Sequence, residues 1–305
     1  MLGYIIRRLA LIPITFALLA GIVFVVLRLT ADPVELFLDI NATDEQRAVL
    51  FHELNLDKPL PIQFLIFFAE VVSGDFGKSH VFGDFAMPLV LQRLGPTLLL
   101  AGTALGIAVL IGGLLGILCA VRRDGALDFS VSALALAGQS MPSFWLGILL
   151  IQLFALNLGL LPTSGFGGPE HLVLPAITLA AYLMPNFILV TRTSVLETLG
   201  EQYVTTARAK GLKESAVLFK HAVPNALAPV VTLIGLQLGV LIGGSIVTET
   251  IFAWPGIGRL IISSIFQRDV TVVVAGVFLI SLAIIVCNLL VDVVLTLVDP
   301  RIGVR

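Results

Sequence analysis

Long apolar runs separated by short polar segments organise the whole 305-residue chain. Crossing a hydrocarbon core of about 30 Å as a helix takes about 20 such residues, and the first uncharged run extends from Leu9 to Leu27. Five more follow: Leu94–Val121, the front part of Phe129–Pro169, Leu172–Thr191, Ala222–Thr248 and Val270–Val291. The pattern predicts six transmembrane helices and hence both termini on one side. Arg7 and Arg8 ahead of the first run also fit a secretory leader, but the run is long and no small-residue cleavage site follows it, which favours a retained span.

Between the first and second spans lie residues 30–92, a predicted extracytoplasmic insertion. The stretch from Arg28 to Arg93 holds ten carboxylates and five basic residues. Within it "TDEQRAVLFHELNL" places Asp44 and Glu45 in a first turn behind a Thr43 N-cap, with Val49, Leu50 and Leu54 at helical spacing. "DKPLPIQFLIFFAEVV" restarts a second helix after two prolines. In the third span, "GQSMPSFW" puts a proline where it frees a backbone carbonyl, so a kinked helix is expected. "GIAVLIGGLLG" and "GLQLGVLIGG" permit close helix contact and favour a packed bundle. The loop "ETIFAWPGIGRL" turns at Pro255-Gly256 into "IISSIF", too short to cross, and reads as an interfacial elbow.

Composition agrees with this picture. The chain is 58% hydrophobic and 12% charged, with mean hydropathy +1.05, against about 45–50% and about 25% in soluble domains. It is read as an all-α integral membrane protein of one domain, 1–305. A net charge of −2 gives no reason to expect nucleic acid as a partner. Charge placement sets the orientation: with a cytoplasmic N-terminus, Arg7, Arg8, Arg122, Arg123, Arg192, Arg208, Lys210, Lys213, Lys220, Arg301 and Arg305 all lie inside. Cys119 and Cys287 fall within or at the ends of apolar spans and read as small apolar fillers.

The polar stretch 192–225 then faces the cytoplasm. Fully helical it would reach about 50 Å, but Gly211 divides it in two. Val195, Leu199, Tyr203, Val204 and Ala207 form an apolar stripe on the first predicted helix, with Glu197, Glu201 and Arg208 off it. Placing Arg208, Lys210 and Lys213 at mid-bilayer would cost about 2.5–3.5 kcal/mol each. The hairpin therefore stays outside the membrane, and its stripe needs the bundle's own inner face, the lipid interface or another protein to bury it.

"EQYVTTARAKGL" followed by "HAVPNALAPV" resembles the cytoplasmic EAA loop of permease subunits in binding-protein-dependent ABC importers: Glu201, Ala207, Gly211 and Pro224 or Pro229 fit its pattern, while Glu201-Gln202-Tyr203 replaces the usual triplet. "LNLDKPLPIQF", "SGDFGKS", "RLGPTLLLA", "PSFWLGILL", "LVLPAITLA", "IVTETIFAWPGIGRLI" and "NLLVDVVLTLVDPRIG" extend the resemblance, in order, to the dipeptide, oligopeptide and nickel permeases. The resemblance implies a type I importer fold in a prokaryotic inner membrane. It further implies a second homologous permease subunit, two ATPase subunits carrying ATP and Mg, and an extracytoplasmic substrate-binding protein. ATPase coupling would fall to Glu201, Tyr203, Ala207, Arg208, Ala209, Lys210, Gly211, Leu212 and Lys213. Peptide is the implied cargo, with nickel or glutathione as alternatives.

Competing chemistries find less support. "GDFGKS" ends like a phosphate loop, but the position needing its first glycine is Val72. No cofactor is therefore expected on this chain, and ATP belongs to a partner. Ser164 and His171 lack the glycine spacing of a nucleophile elbow, and no H-E-x-x-H helix is present. Asp292, four residues after Asn288, suits pairing with Arg301 better than the proton coupling of a secondary transporter. His52, His80 and His171 have no ligand spacing, so no metal site is expected. For the translocation pathway, uncharged polar groups suit peptide amides: Gln139, Ser140 and Met141 at the kink, and Thr232, Gln237 and Ser245 in the fifth span.

Overall fold

The computed structural model describes residues 2–30, 43–53 and 55–298, and among these no β-strand forms beyond one isolated Lys78–Phe85 bridge. Asp292 has a described backbone but its side chain, like Arg301 as a whole, lies outside the described residues. Among the described residues twelve helices follow in order: α1 (Leu2–Thr30), α2 (Asp44–Glu53), α3 (Leu60–Ser73), α4 (Ala86–Val121), α5 (Ala126–Gln139), α6 (Ser143–Asn157), α7 (Glu170–Leu199), α8 (Gln202–Ala209), α9 (Glu214–Gly244), α10 (Ile246–Ile251), α11 (Ile257–Phe266) and α12 (Val270–Val298).

Among the described residues, five helices are long and apolar enough to cross a membrane: α1, α4, α7, α9 and α12. The sixth expected span is not one kinked helix. α5 and α6 are bent by 103° at residues 140–142, because proline disfavours helical geometry in the residue before it and suits the start of a helix. Pro142 stands at the start of α6, extended at ψ 132°, and its carbonyl accepts from Trp145 N–H.

The chain packs in two compact units, residues 95–259 with 283–305 and residues 2–94 with 260–282. No linker composition marks these boundaries. In the smaller unit, α1 and α3 pack with the first part of α12 around Ala20, Val71, Val274 and Phe278. Phe278 receives the Phe16 ring edge-on at 5.4 Å and the Phe76 ring at 5.6 Å. α3 begins behind Pro59 and ends at Gly74, left-handed at φ 76°. Gly74 and Asp75 N–H groups return to the carbonyls of Val71 and Glu70, closing the helix end. In α2, Val49 is exposed, so the short helix forms where expected without burying that position.

The segment that imitates a phosphate loop has a different task. Gly77 turns the chain at φ 83°, and the Ser79 hydroxyl donates to the fully buried Asp269 carboxylate. Asp269 also caps α12, accepting from Val272 N–H at 3.3 Å. The serine thus ties this loop to the start of α12.

In the larger unit the core joins Leu100, Ala104 and Ala108 of α4, Leu179, Leu183 and Phe187 of α7, Val230 and Leu241 of α9, and Trp254. α7 is the central helix: 56% of its apolar window is buried, against 11% for α1. Glycine seams bring the helices together. A Cβ at Gly112 would lie 2.8 Å from the Phe187 Cβ, and one at Gly116 2.7 Å from the Ile188 carbonyl oxygen, so α4 meets α7 backbone to backbone. On α9, a Cβ at Gly235 would overlap the Val291 side chain of α12.

Gly235→Ala should therefore lower the thermal midpoint in detergent, by an overpacking cost of about 1–3 kcal/mol. Val291→Ala in the same chain should restore most of it. Fluorescence-detected size exclusion after heating measures both, and a Gly235→Ala chain as stable as the parent would contradict the seam.

Candidate functional site

The polar hairpin begins where α7 stops. Gly200, the poorest helix former after proline, closes α7, and Glu201 is extended at ψ 149° before α8 starts. The predicted first helix is thus broken at Gly200–Glu201, and its stripe divides. Val195 stays in the α7 core with Ala226. Val204, Ala207 and Val217 cluster with Leu199, so the hairpin carries a small core of its own. Tyr203 turns outward and is exposed, as are Leu212 and Phe219.

The turn works as the sequence implied. Gly211 adopts φ 79°, its N–H meets the Arg208 carbonyl at 2.9 Å, and Leu212 N–H reaches back to Ala207 O. No atom crowds Gly211, so its need for glycine is conformational. Arg208 holds Glu214 across the turn at 2.8 Å, an exposed pair worth about 0–1 kcal/mol. Glu201 makes no side-chain cap; its carbonyl accepts from Val204 and Thr205 N–H. Lys213 stands before α9, with its carbonyl receiving Ala216 and Val217 N–H. Lys210 caps the end of α8, next to Ala209.

The second predicted helix is not separate from the fifth span, because α9 runs through both. Residues Val217–Ala222 are π-helical, and Val223 N–H bonds to Leu218 O, five residues back. Pro224 follows. It has no N–H and would collide with the carbonyl four residues earlier, so the wider turn relieves the helix there. The Asn225 side chain donates to His221 O at 2.7 Å and satisfies a carbonyl at the same point.

Behind the hairpin, Arg192 of α7 grips Asp128 of α5 in a bidentate pair at 2.6 and 2.7 Å, and Asp124 N–H also donates to Asp128. Asp128 is buried, so this pair clamps the first half of the broken span to the central helix. An open groove of about 280 Å³ lies between α7 and α9, lined by Leu189, Val190, Thr193, Ser194, Glu197 and Pro229. Ser194 donates to Ala226 O at 2.8 Å beside it.

Of the pathway candidates, Gln139, Ser140 and Met141 are exposed at the break, and Gln139 donates to Asn186 of α7 at 3.3 Å. Thr232 is part-buried and bonds back to Ala228 O. Gln237 is buried, as is Ser245, whose hydroxyl points to Glu249 at 3.0 Å. His52, His80 and His171 each lie beside one carboxylate, Asp57, Asp269 and Glu170 respectively, and no group of three metal-ligating side chains forms among the described residues.

Glu249 is a further centre, one that no motif in the sequence marks. Fully buried, its carboxylate accepts from Thr97 Oγ1 at 2.8 Å, Ser245 Oγ at 3.0 Å and Arg259 N–H at 3.0 Å. A Cβ at Gly256 would overlap that carboxylate, and one at Gly258 would lie 3.0 Å from its Oε2. The readable signal was Ser245 one turn before Glu249 and two glycines closing on it after Pro255.

A multi-span helical bundle with a broken span and an ordered polar hairpin is the architecture of a membrane transport subunit. Residues 112–304 match the family described as binding-protein-dependent transport system inner membrane component, and the chain belongs to that family: it is a permease subunit of an ABC importer. It is 42% identical over 304 residues to the glutathione transport system permease protein GsiC of Salmonella typhimurium, covering 99% of each chain. The Escherichia coli K12 GsiC is 41% identical over 303 residues, again covering 99% of each. A Brucella suis biovar 1 protein provisionally named a peptide permease is 39% identical over 318 residues and matches over the full length of both. Among solved structures, an inward-facing MetNI methionine ABC transporter shares the fold at TM-score 0.60 and 22% identity, over 70% of this chain and 97% of that one. An amino acid ABC transporter does so at TM-score 0.52 and 19% identity, over 70% and 94%.

Breaking the Asp128–Arg192 pair from one side leaves a buried charge without its partner, a loss of about 3–5 kcal/mol. Arg192→Met should therefore cut the yield of folded protein sharply, and adding Asp128→Asn should recover part of it. A double mutant as unstable as the sum of both single changes would show that the pair acts in no concerted way.

Proposed function

We propose that this chain forms half of an import pathway for short peptides, glutathione included, and that its 192–225 hairpin is the element through which separate ATPase subunits drive it. Glutathione is itself a γ-linked tripeptide, so the names of the relatives describe one chemistry: backbone amides between charged ends. Uncharged polar groups such as Gln139, Thr232 and Gln237 suit amides without selecting one side chain. Nickel is the weaker reading, since His52, His80 and His171 each lie beside a different carboxylate.

One observation carries the coupling role. The hairpin satisfies its own apolar core with Val204, Ala207 and Val217 yet still presents Tyr203, Leu212 and Phe219 to the outside, amid Arg208, Lys210 and Lys213. An internally packed element that still exposes aromatic and leucine side chains is built to meet a partner. With the termini and hairpin on the basic, cytoplasmic side, that partner is the ATPase, which binds ATP and Mg where this chain does not. A second homologous permease subunit completes the pathway, and a binding protein delivers the cargo on the other face.

Tyr203→Asp and Leu212→Asp should each reduce ATPase subunits co-purifying with the membrane complex at least about tenfold, while the permease still inserts and remains folded. Retention of the ATPase at parental stoichiometry in both variants would rule the hairpin out as the contact. Mass spectrometry of the molecules carried by the co-purified binding protein identifies the cargo. Peptides or glutathione are expected, and a bound metal ion alone would overturn the peptide reading.

A further inference from the structure

We propose that Glu249 is a positioning residue for transport, holding α4 at Pro96–Thr97, the 249–260 elbow with α10, and α6 as one piece that moves together when the pathway opens. This rests on the chain being an importer permease subunit and not on the identity of its cargo.

Three separate segments donate to the one buried carboxylate. Thr97 comes from α4, Ser245 from the joint between α9 and α10, and the Arg259 N–H from the first turn of α11. Thr97 is used twice, because its oxygen also accepts Ile257 N–H at 2.9 Å. A second set of contacts repeats the attachment. The Trp254 indole N–H donates to Pro96 O at 2.9 Å, and Trp254 is itself buried.

On its other side the elbow reaches the broken span. The Phe252 ring lies 3.2 Å from where a Cβ on Gly147 of α6 would be, and the Phe252 carbonyl accepts Gly165 N–H at 2.8 Å. Phe166, next in that loop, sets its ring edge-on to Trp254 at 4.9 Å. The elbow thus touches α4 through Glu249 and Trp254 and touches α6 and its loop through Phe252 and Trp254.

Stability alone does not call for a carboxylate here. A well-packed apolar side chain in place of a buried charge is often neutral or stabilising, whereas a charge with three directional donors specifies one arrangement of the segments that supply them. Gly256, which has room for no side chain over the carboxylate, shows the loop folded around it.

The test uses the full complex in nanodiscs, with spin labels at the exposed positions Leu98 and Val247 in a Cys119→Ser, Cys287→Ser background. The comparison is made without nucleotide and with ATP and vanadate. One narrow distance, the same in both states, is expected for the parent and for Thr97→Ser, which keeps the hydroxyl. Thr97→Val, equal in shape but without it, and Glu249→Gln should broaden that distance. They should also lower the maximum uptake of glutathione or trialanine at least about tenfold, the scale of loss expected from misplaced machinery, while complex yield and the half-saturating binding-protein concentration stay near parental.

A parental distance that changes between states overturns the proposal, as does a Thr97→Val complex with a narrow distance and parental rate. Equal loss in Thr97→Ser and Thr97→Val, or loss of yield with a normal rate per complex, reduces Glu249 to packing and overturns it too. A parent that takes up neither glutathione nor trialanine counts against the peptide reading alone, because the distance comparison still decides the role of Glu249.

Discussion

Helices in a bilayer gain nothing from hiding apolar side chains from lipid, so what holds this protein together is how closely its backbones approach. The seam of Gly112 and Gly116 against α7 is the strongest case, since a single added carbon at either position would strike the backbone of α7 as well as its side chains. α7, fixed along α4, carries Arg192 to clamp α5, Asn186 to meet the break, and Gly200 to launch the hairpin.

Polar connections are then added at the few places where direction matters. Asp128 with Arg192, Glu249 with Thr97 and Asp269 with Ser79 are each a buried carboxylate joined to a group far away in sequence. A carboxylate with its partners adds direction to that close packing, and each of these three ties together segments distant in the chain.

What could be read from the sequence follows the same division. Hydropathy marks the spans because their length and lack of charge answer directly to the bilayer, and Gly211 and Pro142 announce themselves through backbone chemistry that neighbours cannot override. The outcome at Pro142 is a full break, which local sequence alone does not distinguish from a kink. The stripe through Tyr203 looked continuous because its spacing is helical on both sides of Gly200; only the termination there turns Tyr203 outward. Glu249 leaves only a local trace in Ser245 and the two glycines after Pro255, and Asp269 leaves none, since their partners Thr97 and Ser79 lie 152 and 190 residues away.

The π-helical segment at Val217–Ala222 gives α9 one residue more than regular α-helical bonding would hold. Each residue of an α-helix turns it by about 100°, so this surplus sets the facing of the span independently of the facing of the hairpin. The two faces of α9 answer to different neighbours, and the wide turn is the gearing between them. The hairpin and the span are thereby joined through a wide turn in place of a regular α-helical one.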